Sequence, residues 1–555
     1  MVVDTKDTEK GDFAVVDQAT ESKPTPYHTY TPFILVPAMA LIAASGMIYE
    51  LLIATVSGYI LGSDVTHFSL VIGVFLFAMG IGAAISRRYT TNLLDTFLRV
   101  ELLLGLLGLL TCPVLLYFGF VMGVQKLFLL VVIFFTTCIG VCIGLEIPIL
   151  SRFLEQYSNT RTTLSNVLAA DYVGSLLGAL AFPYLLLPKL GLTTTCAIAG
   201  LLNIFVVFMV SWFLRRDLLF AKWHLWLAGV LALPLLGLVW VGGTLFHYLE
   251  LSGYRDNIVH RERSRYQRII LTQGPKKYPT TKKSPTAKKT PRAYLPRRWK
   301  DDMRLFLDGN LQFSSIDEYR YHEALVHPAF ALHPNAKKVL ILGGGDGLAA
   351  KQILKYHQAH ITLVDLDPRI LHLAKNHKKW RKLNQDALRH PRVKTLAGDA
   401  FVFVRTTPEQ YDIIYLDLPD PHNAILCRFY AVEFYKMLKK RLKPGGLFVT
   451  QSTSPYFARR AYWSIGLSIE RADLHVLSYH VNVPSFGDWG FHMARKKAMK
   501  QKDMTLQVQT RYLNDSLLQS MFVFGKDVAK IKVQANTLSS VKLYGYYQDA
   551  RWEHY

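Results

Sequence analysis

The sequence predicts an α-helical membrane region, then a small β-sheet subdomain, and then an α/β domain with a seven-stranded sheet. Two observations support this division. Long apolar segments are confined to residues 33–247, and beyond residue 326 short apolar runs alternate with helical patterns, as in a layered α/β sheet. The predicted parts are a polar tail (1–32), a seven-helix transmembrane domain (33–247), the β subdomain (248–326), the α/β domain (327–525) and a C-terminal tail (526–555).

The membrane prediction depends on seven apolar segments, each near the roughly 20 residues that cross a bilayer. Seven buried core helices are a poor alternative, because soluble helices seldom stay apolar on all sides. Residues 1–32 are polar and mildly acidic, so no cleavable signal peptide is indicated. The predicted spans are 33–56, 68–86, 100–122, 127–149, 166–187, 194–214 and 224–246.

Basic residues flank alternate segments and indicate an orientation. They follow the second, fourth and sixth spans, which places the N-terminus in the cytoplasm of a multi-pass cell-membrane protein. Seven crossings would leave everything after Tyr248 outside. Either one segment does not cross fully, or the later domains face away from the cytoplasm. The basic residues are Arg87, Arg88, Arg99, Arg152, Arg161, Arg215, Arg216 and Lys222.

The β subdomain carries a basic insertion at residues 274–300, between predicted strands at Tyr266–Thr272 and Arg304–Gly309. Ten Lys and Arg side chains lie there among prolines and threonines, which is typical of a disordered, solvated loop. Contact with anionic membrane lipids is the functional alternative. No aromatic platform or helix-turn-helix pattern accompanies the charge, so we expect no nucleic-acid partner.

The α/β domain has a Rossmann-like pattern of the methyltransferase type. Helical segments separate most of its strands, and ligands of such sheets bind at the carboxyl ends of the strands. The predicted strands are Val339–Leu342, Ile361–Val364, Val393–Leu396, Tyr411–Leu416, Leu447–Thr450, Leu474–Tyr479 and Met521–Phe524.

A glycine-rich turn, Gly343–Gly347, follows the first of these strands and contains Asp346. Glycines keep such a turn tight and let a ligand approach the backbone. A carboxylate there would repel a phosphate, so the ligand should present a positive charge at this point. The next strand ends in Asp365, at the spacing where an acid binds a ribose diol.

Acidic residues follow four consecutive predicted strands. A single Asp in a loop usually caps a helix or a turn. Several at neighbouring strand ends would repel one another, which favours cationic ligands. These residues are Asp346, Asp365, Asp367, Asp399, Asp417 and Asp420.

Taken in order, these motifs resemble those of spermidine synthase, the polyamine aminopropyltransferase family. The resemblance covers residues 260–525, and the seven-span region is similar to that of membrane-fused bacterial members. The matching runs are Ser264–Gln267, Leu307–Gln312, Asp317–Glu323, Gly343–Gly347, Val364–Asp367, Gly398–Ala400, Asp417–Pro421 and Pro484–Phe491.

The resemblance implies a role for each matching residue. Asp417 would accept the proton of the attacking amine. The methylthioadenosine part of the donor would contact Gln267, Asp365, Asp399 and Ala400. His322 and Asp346 would contact the aminopropyl group or the polyamine product, and Asp420 would help to hold the diamine. Leu418 and Pro419 would also bind substrate. The acceptor channel would contain Tyr321, Gln312 and either Tyr479 or Trp489. A proline usual after the Asp-x-x-Asp-Pro motif is replaced by Ala424.

The implied reaction transfers the aminopropyl group of decarboxylated S-adenosylmethionine to putrescine or a related diamine, which gives spermidine and methylthioadenosine. Both reactants are cations, in agreement with the acidic strand ends. The resemblance implies no metal and no cofactor beyond this co-substrate, and the family commonly forms homodimers. None of the five cysteines belongs to a CxxC pair, so neither a zinc site nor a disulfide framework is indicated.

Two other interpretations stay open. A methyltransferase could use the same fold, although Asp346 would repel the carboxylate of S-adenosylmethionine. Alternatively, the membrane region could transport or sense polyamines, because ionisable residues in or near apolar spans are costly and often functional. Those residues are Glu50, Glu101, Glu146 and Asp171.

Overall fold

The computed structural model describes residues 31–61, 65–155, 160–254, 256–275, 301–501, 504–540 and 542–550. Most of the predicted N-terminal tail and of the basic insertion lies outside these residues, so their predicted roles stay predictions. The chain forms two compact units. The first is helical, and the second contains both β-sheets. They comprise Met1–Leu52, Val74–Thr111 and Phe134–Gly243, and Ile53–Gly73, Cys112–Ile133 and Thr244–Tyr555, respectively.

The predicted apolar segments form long helices. In the described part of the chain, six helical stretches are long and apolar enough to cross a membrane, judged by length and composition alone. The helices are α1 (Thr31–Leu61), α2 (Val65–Ile85), α3 (Leu93–Leu116), α4 (Gln125–Leu154), α5 (Thr160–Ala181), α6 (Leu187–Phe213) and α7 (Ala221–Gly253).

Two of the seven predicted spans are counted together in this total. Predicted spans 166–187 and 194–214 fall in one stretch, Leu164–Phe213, because the chain stays helical through the intervening residues. Only Gly191 leaves helical geometry, with φ 77° and ψ 178°. A straight helix of this length would be about 75 Å long at 1.5 Å per residue. Gly191 therefore marks the point where this stretch divides.

A four-stranded antiparallel sheet follows the last apolar helix. Its strands are adjacent in the order β1–β2–β3–β4, and both predicted strands belong to it. A 15-residue helix leads to the next domain. The elements are β1 (Asp256–Arg263), β2 (Arg268–Pro275), β3 (Met303–Leu307), β4 (Asn310–Ser314) and α8 (Glu318–Leu332).

The seven-stranded sheet has the order β10–β11–β9–β8–β5–β6–β7. Its five strands from β9 to β7 are parallel, and β10 and β11 form an antiparallel hairpin at one edge. The strands are β5 (Lys338–Gly343), β6 (His360–Asp365), β7 (Val393–Ala397), β8 (Tyr411–Asp417), β9 (Leu442–Gln451), β10 (His475–Val483) and β11 (Gly487–Arg495).

Helices cover both faces of this sheet, and two apolar clusters form its core. The helices are α9 (Leu348–Ile353), α10 (Pro368–Asn376), α11 (Lys378–Asn384), α12 (Ala400–Thr406), α13 (Ala424–Cys427), α14 (Val432–Arg441), α15 (Arg459–Glu470), α16 (Asp515–Ser520) and α17 (Lys542–Gln548).

The seventh predicted strand is wrong. Met521–Phe524 is not a strand, and β11 at Gly487–Arg495 occupies the expected place in the sheet. The run at 521–524 is apolar because Met521 is buried and Phe522 packs against the core. Strand β11 contains Gly487 and Gly490, which weakened its strand signal.

Candidate active site

The loop after β5 brings backbone, rather than side chains, against the neighbouring strand ends. Gly343 has φ 82°, and a Cβ there would lie 2.1 Å from the carbonyl oxygen of Asp417. A Cβ on Gly345 would lie 2.6 Å from the carboxyl carbon of Asp365. Only glycine fits these positions. The glycines therefore let the carboxylates that follow β5, β6 and β8 lie close together.

Asp346 is half-buried in this loop. Its Oδ1 accepts a hydrogen bond from the backbone N–H of Leu348, at 2.8 Å, and its backbone carbonyl accepts bonds from Trp380 and Asn384, each at 3.0 Å. Burial raises the pKa of Asp346 to about 6. The neighbouring carboxylate of Asp417 also raises this pKa, whereas His322 lowers it. A cation that binds here would restore the charged form.

His322 lies on α8 and is buried. Its Nδ1 lies 3.0 Å from a carboxylate oxygen of Glu318, whose other oxygen pairs with Lys351 at 2.6 Å. Burial lowers the pKa of His322, but the Glu318 carboxylate, together with Asp346 and Asp417, outweighs burial and raises it. His322 is therefore held by Glu318 and lies in the field of the site's carboxylates.

Asp417 is the last residue of β8. The hydroxyl of Tyr321 donates to its Oδ1 at 2.7 Å, and its backbone carbonyl accepts the N–H of Gly344 at 3.0 Å. Tyr321 in turn contacts the rings of Phe486 and Phe491. These contacts fix the direction of the Asp417 carboxylate at the carboxyl edge of the sheet.

Asp420 lies three residues further along. Its Oδ2 accepts hydrogen bonds from Thr453 at 3.1 Å and from Tyr547 at 3.0 Å. Its Oδ1 is buried and has no hydrogen-bonding partner among the described residues. Burial raises the pKa of Asp420 to about 6, while the hydrogen bonds from Tyr547 and Thr453 lower it. One oxygen is thus held and the other is left for a ligand.

The backbone between the two aspartates is also fixed. The carbonyl of Leu418 accepts the Gln451 amide at 2.6 Å, and the carbonyl of Pro419 accepts the Tyr430 hydroxyl at 2.9 Å. The backbone carbonyls of Leu418 and Pro419 are therefore anchored by hydrogen bonds, and this fixes the position of Asp417 relative to Asp420.

Asp365 ends β6. Its two oxygens accept the backbone N–H groups of Gly345, at 3.0 Å, and Asp367, at 2.9 Å. Burial raises its pKa to about 6, although these two bonds lower it. Gln267 reaches the same strand end from the small sheet, but it donates to Asp367, at 3.1 Å, and not to Asp365.

Asp399 departs from the expectation that each acid faces a cationic ligand. Its Oδ1 caps α12 by accepting the backbone N–H of Phe401 at 2.7 Å, and its Oδ2 pairs with Arg428 at 2.6 Å. The protein's own guanidinium therefore compensates this charge. Ala400, the first residue of α12, is buried beside it.

Comparisons with known proteins agree with this geometry. The spermine/spermidine synthase domain matches residues 318–507. The polyamine aminopropyltransferase of Leptospira interrogans is 39% identical over 520 residues, which are 93% of this chain and 98% of that protein. Polyamine aminopropyltransferase 1 of Streptomyces coelicolor is 37% identical over 98% of this chain and 99% of that protein. The chain belongs to the polyamine aminopropyltransferase family.

A third relative and a solved structure complete these comparisons. The polyamine aminopropyltransferase of Oceanobacillus iheyensis is 37% identical over 93% of this chain and 96% of that protein. The crystal structure of spermidine synthase from Thermotoga maritima is similar with a TM-score of 0.40 and 22% identity, over 49% of this chain and 86% of that chain.

For this aminopropyltransferase, two predicted residues of the acceptor channel form hydrogen bonds away from the carboxylates at the strand ends. Gln312 on β4 donates to the carbonyl of Asn310, in its own strand. Tyr479 is a core residue, fully buried, with its hydroxyl on the carbonyl of Ala324 at 3.0 Å. Trp489 is the better of the two aromatic alternatives, because its buried indole N–H has no partner among the described residues.

The aminopropyltransferase site also contains residues that the motifs did not indicate. Thr453 and Tyr547 contact Asp420, and Arg428 pairs with Asp399. Thr453 has φ 61°, a left-handed backbone conformation that is costly for a β-branched residue and is often found at functional sites. The sequence carries no short motif for any of these three contacts.

Proposed function

We propose that the protein transfers the aminopropyl group of decarboxylated S-adenosylmethionine to putrescine or a similar diamine, which yields spermidine and methylthioadenosine. The observation that carries the proposal is the pair formed by Asp417 and Asp420 at the end of β8. One carboxylate is directed by Tyr321, and the other keeps a buried oxygen without a partner among the described residues. Two carboxylates at a fixed separation suit a molecule with two amines.

In this proposal Asp417 accepts a proton from the amine that attacks. The neutral nitrogen forms a bond to the methylene carbon beside the sulfonium, and the carbon–sulfur bond breaks. Sulfur takes the bonding electron pair and leaves as a neutral thioether. Correct placement of the two reactants supplies much of the acceleration in such bimolecular transfers. The second ammonium of the diamine pairs with Asp420.

The donor's free ammonium would pair with Asp346, whose carboxylate lies in the glycine-rich loop with His322 nearby. The ribose would contact Asp365, and the adenine end would lie towards Asp399 and Ala400. Asp346 would repel the extra carboxylate of S-adenosylmethionine, which favours the decarboxylated donor. The sulfonium is already a good leaving group, so we propose that no metal or further cofactor is required.

Product analysis tests the function. Purified full-length protein is incubated with either donor and with putrescine, cadaverine or spermidine, and the products are identified by mass spectrometry. We expect an aminopropylated amine and methylthioadenosine in equal amounts, only with the decarboxylated donor, and the same yield in the presence of EDTA. Methyl transfer from S-adenosylmethionine without aminopropyl transfer would contradict the proposal.

We also propose that the helical region inserts in a bacterial membrane. Large apolar and aromatic side chains on these helices are exposed in the isolated chain, for example Trp240 at 86% and Leu233 at 72%. Such surface is unfavourable in water, and lipid would cover it. The test is extraction: the protein should remain in membranes washed with alkaline carbonate and should dissolve in detergent. Release by carbonate alone would contradict insertion.

A further inference from the structure

Residues 526–540 and 542–550, which belong to the predicted C-terminal tail, pack against the α/β domain. Asn536 fixes them to the domain: its side-chain amide donates to the carbonyl of Cys427 and its backbone N–H to Ser468, each at 2.8 Å. Helix α17 follows, and Leu543 within it is fully buried in the same apolar cluster as residues of β8. These contacts place α17 against the domain at a defined position.

Helix α17 brings Tyr547 to the candidate acceptor site. Its hydroxyl donates to Oδ2 of Asp420 at 3.0 Å, and Thr453 donates to the same oxygen at 3.1 Å. The two donors come from distant parts of the chain, α17 and the end of β9. Together they fix the rotation of the carboxylate, so that the unpartnered Oδ1 has a constant direction.

The backbone conformation of Thr453 indicates that the surrounding structure imposes the contact between its hydroxyl and Asp420. Its backbone is held at φ 61° by two hydrogen bonds, its N–H to the Gln451 side chain at 3.1 Å and its carbonyl from the N–H of Gly490 at 2.8 Å. A β-branched residue adopts this region only when its surroundings impose it. The surrounding structure thus places the Thr453 hydroxyl on Asp420.

We infer that Tyr547 is a positioning residue of the acceptor site, and that it keeps Asp420 ionised and directed at the distal ammonium of the diamine. The inference rests on the proposed function, and it adds a residue outside the matched family domain, which ends at residue 507. Tyr547 acts through Asp420 and is not itself a proton acceptor. Its loss should weaken acceptor binding while donor binding is retained.

A pH-dependent effect follows, since a hydrogen bond to the charged form of a carboxyl lowers its pKa. The other titratable groups that face Asp420 are Tyr430, Tyr321 on α8 and His422 in the same loop. The two tyrosines are neutral, and their hydroxyls donate to Asp417 and to the carbonyl of Pro419. Burial lowers the pKa of His422. Removal of the Tyr547 hydroxyl should therefore move the acidic limb of activity to higher pH.

The test compares Tyr547→Phe with Tyr546→Phe in the full-length protein. Tyr546 is the neighbouring tyrosine on α17, and its ring lies 4.3 Å from the guanidinium carbon of Arg460, a contact that phenylalanine retains. For Tyr547→Phe we expect KM for the diamine to rise about five- to tenfold, as for the loss of one typical hydrogen bond. KM for the donor should be unchanged, and the acidic limb of kcat/KM should shift upward in pH.

Unchanged kinetics in Tyr547→Phe would overturn the inference, provided that the parent protein is active. An inactive parent would instead overturn the proposed function. Thermal unfolding of both variants identifies a folding defect. In that case Thr453→Ala, which removes the other donor to Oδ2 of Asp420, should raise KM for the diamine in the same way, and a parental KM in that variant would overturn the inference.

Discussion

Carboxyl groups are buried both in the helical unit and at the strand ends of the α/β domain, but their surroundings differ. Asp346, Asp365 and Asp420 each accept hydrogen bonds from the protein. Glu101 and Glu146 on the apolar helices are buried near each other. Their four carboxylate oxygens have no hydrogen-bonding partner among the described residues.

This difference separates carboxylates that the protein directs with hydrogen-bond donors from carboxylates that it leaves without donors. Two adjacent carboxylates in apolar surroundings repel each other. At the strand ends, donors stabilise the ionised form and direct the carboxylates. Burial alone therefore does not identify a functional carboxylate. The combination of fixed donors with an unpartnered oxygen, as in Asp420, does.

The largest effect should come from Asp417→Asn. The amide cannot accept the proton of the attacking amine, so kcat should fall by roughly 10²- to 10⁴-fold, the usual range for a general base. Release of methylthioadenosine measures the rate. The control is Asp473→Asn, which changes an acid with an 83% exposed side chain and should leave the rate unchanged. Parental activity in Asp417→Asn would exclude the proton-acceptor role.

Asp346→Asn should have the next largest effect. Without the carboxylate, the donor's ammonium loses its partner, and KM for the decarboxylated donor should rise about ten- to a hundredfold, as for a buried charge pair. Inhibition by S-adenosylmethionine should strengthen at the same time, because its carboxylate is no longer repelled. If the preference between the two donors stayed the same, discrimination would lie elsewhere.

The pH dependence should show a decline on the acidic side. Burial raises the pKa of Asp346, Asp365 and Asp420 to about 6, and each must be ionised to bind a cation or a ribose. The kcat/KM for both substrates should thus fall as the pH decreases through about 6. A pH–rate profile that is flat down to pH 4 would show that these carboxyls are not required in their charged form.

The smallest effect should come from Glu146→Gln in the helical unit. Glutamine keeps the shape and supplies a hydrogen-bond donor to Glu101, so the unfolding temperature should stay constant or rise, and aminopropyl transfer should not change. If the membrane region transports polyamines instead, the variant should lose spermidine flux into vesicles that contain it. Parental flux and parental transfer together would exclude a polyamine path through this pair.

Much of the fold followed from the sequence because its signals are local. Apolar length predicted the long helices, and short apolar runs predicted six strands of the large sheet and two of the small one. The seventh strand depends on tertiary contacts. A glycine-containing hairpin strand at 487–495 carries a weaker local signal than the apolar core segment at 521–524.

The grouping of carboxylates at the strand ends was predictable where short motifs mark it, as at Asp346, Asp365, Asp417 and Asp420. It was not predictable where contacts join distant parts of the chain. Tyr547 and Asp420 are 127 residues apart, and no local pattern indicates that they meet. Likewise, the charge on Asp399 suggested a cationic ligand, because the sequence did not reveal that Arg428 would pair with it.

The most direct test of the central claim compares binding of the two donors to the full-length protein by calorimetry. The carboxylates at the strand ends are arranged for cations, so the decarboxylated sulfonium compound should bind and its carboxylated parent should bind much more weakly. Tight binding of S-adenosylmethionine, with no measurable binding of the decarboxylated compound, would contradict this account.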